Sequence, residues 1–194
     1  YYNGKADLAV ALKSEKFEKY HKISSFKEHR SYPYIFENEG IIYCMPEAHK
    51  TNQLVLYKFD EDNLSLEKDS ILLNGFPIVD ATLYHHENKW YIFLVNQKNS
   101  HTHLEIYHSD NLKGPYVPHK NNPVMIDCSK ARPAGKLFNY NGKTIRPSQN
   151  CTNHYGQEIY LENILEISDS KFITEFHSTI IPLDKSNYNK GIHT

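Results

Sequence analysis

Three stretches of the chain share one arrangement of apolar and polar positions. Phe36-Glu37-Asn38-Glu39-Gly40-Ile41-Ile42-Tyr43, Tyr84-His85-His86-Glu87-Asn88-Lys89-Trp90-Tyr91 and Phe138-Asn139-Tyr140-Asn141-Gly142-Lys143-Thr144-Ile145 each enclose a short polar turn between aromatic or aliphatic flanks. The Asn141-Gly142 turn is the clearest, because Asn-Gly supplies the positive φ angles that a two-residue hairpin needs. The copies recur at roughly 50-residue intervals, a spacing that points to propeller blades and away from helical solenoids.

Two further strands recur after each hairpin. Residues 53–58, 103–108 and 158–162 predict a third strand, and the more polar residues 66–72, 116–119 and 172–180 a fourth. Upstream, residues 6–12 and 17–23 match the third and fourth strands of a unit. Four antiparallel strands per unit make a blade. The expected fold is therefore an all-β propeller of four-stranded antiparallel blades, incomplete in this chain. The expected layout is 1–26 as the end of one blade, 27–75, 76–126 and 127–184 as the next three, and 185–194 as the start of another. On this reading the natural protein extends beyond both ends.

Composition narrows the picture. Among 194 residues, 13% are aromatic and 15 are Tyr, which suits strands better than helices. The net charge is −1, with Lys and Arg scattered, so no nucleic-acid partner or membrane surface is expected. No apolar run approaches the ~20 residues that span a bilayer. No signal peptide opens the sequence, so a soluble domain is expected, with the cytoplasm favoured. Three cysteines, Cys44, Cys128 and Cys151, are too few and too irregular for a disulfide framework or a zinc site. They are expected to be free, buried and inert. No cofactor or metal is called for.

Candidate chemistry gathers on the segment 130–151. Arg132 and Arg146 each precede a proline, which disfavours helix and leaves both guanidinium groups on extended backbone. Glu47 and Gln149 lie at matching places, four residues past Tyr43 and Ile145, and Arg30 aligns with Arg132. Asp80 stands in a stretch that otherwise reads as an inner strand, and a buried acid needs a hydrogen bond, a partner or a function. The plainer readings are a solvated Glu47, a surface Arg30, an Asp80 that caps a turn, and arginines that hold Asp80 and Glu47 in internal ion pairs. His101 and His103 alternate like metal ligands, yet no thiolate or carboxylate groups with them.

Longer motifs join these residues. Ser109-Asp110-Asn111-Leu112-Lys113-Gly114-Pro115-Tyr116, then His119 with Asn122-Pro123-Val124, Ala131-Arg132-Pro133-Ala134-Gly135, Ile145-Arg146-Pro147-Ser148-Gln149-Asn150-Cys151 and His154-Tyr155-Gly156 resemble the amino-terminal domain family of glucosamine inositolphosphorylceramide transferases. Ser31-Tyr32-Pro33, Met45-Pro46-Glu47 and Gly191-Ile192-His193-Thr194 fit the same pattern. The resemblance implies a five-bladed β-propeller related to family-43 glycoside hydrolases, and a transferase domain fused elsewhere in the protein. It also implies a carbohydrate or sugar-phosphate ligand.

In those hydrolases an Asp base, a second Asp that tunes the acid, and a Glu general acid surround the sugar. Asp80 matches the second Asp. Where the acid's Glu-Gly-Pro is expected, this chain carries Ala131-Arg132-Pro133, and a guanidinium cannot act as a general acid. Two function classes remain: a carbohydrate-recognition domain, or a glycoside hydrolase or transglycosidase using Asp80 and Glu47. A protein-interaction propeller would not need inward charges. The expected ligand-binding set is Arg132, Arg146, Gln149, Arg30, Tyr155 and His193, and Glu47, Asp80, Arg132, Arg146, Gln149 and His193 are expected to converge on one concave site.

Overall fold

The computed structural model describes residues 6–23, 26–183 and 191–192, in two compact units that divide after Ile78. In the first unit β1 (Ala9–Ala11) and β2 (Tyr20–Lys22) form an antiparallel pair with Val10 opposite His21. β3 (Ser31–Asn38), β4 (Ile41–Glu47), β5 (Gln53–Asp60) and β6 (Ser65–Asn74) then succeed one another across a four-stranded antiparallel sheet. The β3–β4 turn takes φ of 53° at Glu39 and 75° at Gly40, the left-handed pair that a tight hairpin demands.

The second unit holds two more sheets. β7 (Ile78–His86), β8 (Lys89–Asn96) and β9 (His103–Ser109) lie side by side, and two short strands, β10 (Val117–Pro118) and β11 (Met125–Ile126), both pair with β9. The last sheet orders β12 (Arg132–Pro133), β14 (Lys143–Asn150), β15 (Glu158–Ile167) and β16 (Phe172–Ile180), with β13 (Phe138–Tyr140) also on β14. Asn141 and Gly142 take φ of 50° and 75° in the β13–β14 turn, as their sequence dictates.

The single fourth strand expected at 116–119 is divided. Pro118 and Pro123 have no N–H to donate, so a continuous ladder is not available there. Asn122 fills the gap: its Oδ1 accepts from the Ile106 N–H at 2.9 Å and its Nδ2 donates to the Ile106 carbonyl at 2.8 Å. A side-chain amide thus replaces a strand residue.

Between the two sheets of the second unit, Tyr91, Phe93, Leu104, Ile106, Ala131 and Leu137 are buried together, with Phe172 edge-on to Phe93 at 5.6 Å. This core seats β7 and β12, the edge strands that carry Asp80 and Arg132. Among the described residues no helix is long and apolar enough to cross a membrane. The cysteines depart from expectation in part. Cys44 is buried, with its thiol pushed up to about 12 by burial, whereas Cys128 and Cys151 are half-buried.

Candidate functional site

Asp80 is the third residue of β7 and takes φ of 50° inside a strand. A left-handed, buried Asp within regular β structure is conformationally costly, and such outliers persist where surrounding contacts hold them. Its principal partner comes from the other sheet of the unit: Arg132 Nε donates to Asp80 Oδ2 at 2.6 Å. Both residues are largely buried, at 5% and 9% exposure.

The rest of the Arg132 guanidinium is also placed. Nη1 lies 3.3 Å from His101 Nδ1, and the carbon Cζ sits 4.6 Å above the centre of the Tyr155 ring. The His101 and Tyr155 rings are 5.9 Å apart, so the planar cation is bracketed by a carboxylate, an imidazole and an aromatic face. Tyr155 is 46% exposed. Gln149 is opposite Arg132 in the β12–β14 register; it is 1% exposed, and its Oε1 accepts no hydrogen bond among the described residues.

Gly156 explains how Tyr155 reaches this place. It takes φ of 71°, its carbonyl accepts from Ile192 N–H at 2.8 Å, and a Cβ there would sit 3.7 Å from Gln149 Oε1 and 3.4 Å from the Ile192 carbonyl. Close backbone approach with a left-handed turn favours glycine.

Arg146 serves another place. Three residues before Gln149 on β14, it lies on the opposite face of the strand. Its Nη1 donates to Glu162 Oε2 at 2.6 Å, with both side chains 1% exposed. Nη1 and Nη2 donate to the Lys130 carbonyl at 3.0 and 2.7 Å, and Nη2 to the Ala131 carbonyl at 3.0 Å. The other Glu162 oxygen accepts from Thr174 Oγ1 at 2.8 Å. Arg146 therefore anchors the two residues that lead into Arg132. The arginines do make internal ion pairs, with Glu162 as one acid in place of Glu47.

Glu47 and Arg30 belong to the first unit. Glu47, opposite Ser31 at the end of β4, accepts from Ser31 Oγ at 3.4 Å and lies 3.2 Å from His49 Nδ1. His29 Nδ1 accepts the Ala6 N–H at 3.0 Å, which places the neutral ring's proton on Nε2, 3.1 Å from Ser31 Oγ. His29 in that form donates to Ser31 and is not a base for it. Arg30 is buried, donates from Nη1 to the His29 carbonyl at 3.1 Å and stacks over Phe26 at 4.5 Å. A cavity of about 400 Å³ lies beside Asp7, Arg30, Ser31 and Tyr32. His193 lies outside the described residues.

Sequence reasoning gave His101 no part in binding and overlooked Glu162. The signal for Glu162 was a Glu-Asn pair in the middle of the apolar run 159–165. Local sequence marked His101 only for its metal-like alternation with His103, not for its contact with Arg132, which lies 31 residues away.

Three histidines of the second unit are held below the ordinary value of 6.5: His101 by burial and then Arg132, His108 by burial against the pull of Asp169, and His119 by burial. A depressed folded value means the unfolded chain binds more protons, so this stabilisation is present above 6.5 and lost as pH falls through the folded values. Asp127 and Asp169 are held below 3.8 and do not titrate in that window. The melting temperature is expected to fall between about pH 7.5 and about 5.5. A scan that stays flat across that interval would contradict the burial of His108 and His119.

A family model described as "Glucosamine inositolphosphorylceramide transferase 1, N-terminal" matches residues 3–194. The chain belongs to this family. Glucosamine inositolphosphorylceramide transferase 1 of Oryza sativa subsp. japonica is 32% identical over 152 residues, covering 74% of this chain and 20% of that protein. The Arabidopsis thaliana relative is 32% identical over 171 residues, covering 84% of this chain and 21% of that protein. The chain thus spans about a fifth of the length of these curated relatives.

Among solved structures, an exo-β-1,3-galactanase from Clostridium thermocellum superposes with a TM-score of 0.61 at 13% identity, over 83% of this chain and 40% of that one. A thermostable family-43 glycoside hydrolase gives 0.61 at 12%, over 86% and 64%. At such identities the likeness establishes the fold, which is that of a five-bladed β-propeller.

Proposed function

We propose that this chain is a carbohydrate-recognition domain of glycan or glycolipid biosynthesis, and that Arg132, Asp80, Tyr155 and Gln149 hold the sugar. The observation that carries the reading is the bracketed guanidinium: Arg132 is oriented by Asp80 at 2.6 Å and backed by the half-exposed Tyr155 ring. Among the described residues its Nη2 donates to no protein acceptor, so it is available to a hydroxyl or phosphate oxygen. An aromatic face beside a fixed polar fork suits a pyranose, which presents apolar C–H faces and a rim of hydroxyls. Relatives named as a glucosamine inositolphosphorylceramide transferase support a sugar or sugar-phosphate ligand, with the transfer chemistry in a fused domain.

The second reading is glycosidic-bond cleavage or transfer that depends on Asp80. Asp80's strained backbone favours it, since outliers of this kind gather at active sites. Its pairing with Arg132 favours recognition. Full-length protein incubated with glycans, sugar phosphates and nucleotide sugars distinguishes the two, by calorimetry and by release of reducing ends. Arg132→Ala is expected to weaken binding by about 1.5–3 kcal/mol, the scale of a charge-assisted hydrogen bond. Unchanged affinity in that variant would remove the proposed site, and reducing-end release that depends on Asp80 would replace recognition with catalysis.

A further inference from the structure

The hairpin that carries Arg132 and Gln149 begins and ends beside a cysteine. Cys128 stands in the turn before β12 and Cys151 directly follows β14. The Cys151 N–H donates to the Cys128 carbonyl at 2.9 Å. That bond holds the two cysteine backbones side by side, and a disulfide bridges Cα atoms roughly 4.4–6.8 Å apart. The Cys128 side chain turns toward the same segment, with Sγ 3.7 Å from Oγ1 of Thr152.

Both approaches are locked by side chains. Asp127 Oδ1 accepts from Ser129 N–H at 2.8 Å and from Ser129 Oγ at 2.6 Å, while the Asp127 carbonyl accepts from Ala131 N–H at 3.0 Å. Across from it, Asn150 Oδ1 accepts from Thr152 N–H at 3.0 Å and from Thr152 Oγ1 at 2.7 Å. Neither cysteine is fully buried, so a small disulfide reagent can reach them. Cys44 lies in the other unit and is buried.

We propose that Cys128 and Cys151 are a disulfide-forming pair that closes the Arg132-bearing hairpin into a covalent ring. The oxidant is a disulfide, either a low-molecular-weight one such as oxidised glutathione or a protein disulfide. One cysteine thiolate attacks it and releases a thiolate. The second cysteine thiolate then attacks the mixed disulfide and releases the other. Two cysteine thiols lose two electrons and two protons, and the oxidant leaves as two thiols. Burial pushes the Cys151 thiol up while Arg132 opposes that shift, so exchange accelerates on the alkaline side of neutrality. The bridge is independent of the functional reading.

The test uses the full-length protein. It is incubated folded with oxidised glutathione, then denatured, alkylated and mapped by mass spectrometry. The expected result is one linked peptide pair containing Cys128 and Cys151, lighter by two hydrogens than the sum of its reduced parts, with Cys44 alkylated. Cys151→Ser is expected to leave Cys128 carrying glutathione with no link. The bridged form is expected to melt roughly 5–10 °C higher than the reduced form, from the entropy removed from the unfolded chain. Glutathione adducts or free thiols at both positions in the native sequence, without a link between them, would overturn the pair. A bridged protein whose melting point does not rise would overturn the closing of the hairpin.

Discussion

Arg146→Ala is expected to destabilise the protein by about 3–5 kcal/mol, a large share of the ~5–15 kcal/mol by which domains are stable. The variant strands the Glu162 carboxylate, 1% exposed, without its guanidinium. It also removes the donors that satisfy the Lys130 and Ala131 carbonyls. Exposed ion pairs contribute under about 1 kcal/mol, so burial of both partners is what makes the effect large. A double variant that replaces Arg146 with Met and Glu162 with Leu is expected to recover most of the loss, because no buried charge remains. Urea unfolding of the three proteins measures this. A single variant that loses less than about 1 kcal/mol would show that water reaches the pair.

Substitutions at Asp80 are expected to separate backbone from charge. Asp80→Ala leaves Arg132 without its carboxylate in a largely buried site and puts a residue poorly suited to φ of 50° on β7. The combined loss is expected to be about 3–5 kcal/mol. Asp80→Asn tolerates the left-handed backbone and keeps an acceptor for Arg132 Nε, so its cost is expected to be about 1.5–3 kcal/mol. Equal losses in the two variants would mean that charge dominates and the backbone is unstrained. The same pair addresses mechanism: in a recognition domain Asp80→Asn weakens binding, because the charge-assisted bond that orients Arg132 becomes a weaker one to a neutral acceptor. In a hydrolase it leaves binding nearly intact and removes turnover.

Much of the fold was legible in short-range chemistry. The Asn141-Gly142 and Glu39-Gly40 turns take the positive φ angles their residues permit, and the strands around them keep the expected order. The divided strand at 117–126 was not legible, because Asn122 stands in for backbone through bonds to Ile106, 16 residues away. Among the site residues, Asp80, Arg132, Tyr155 and Gln149 were singled out for binding or catalysis by type and place, whereas His101 was weighed only as a metal ligand. Cys128 and Cys151 were expected to be buried and inert. Spacing alone does not show that a hairpin returns one beside the other.

Arg132 and Arg146 show where the boundary lies. Both precede proline on extended chain, and local sequence makes them equivalents. Alternation along β14 separates the faces of Arg146 and Gln149, a property of any strand. Which face meets Glu162 in the interior, and which arginine meets Asp80 across 52 residues, depends on how the sheets of the second unit pack. The sequence by itself determined the blade-like repeat, since turn residues and strand periodicity act within a few positions. Tertiary structure alone decided the partners, because burial and charge pairing depend on neighbours that the chain brings from afar.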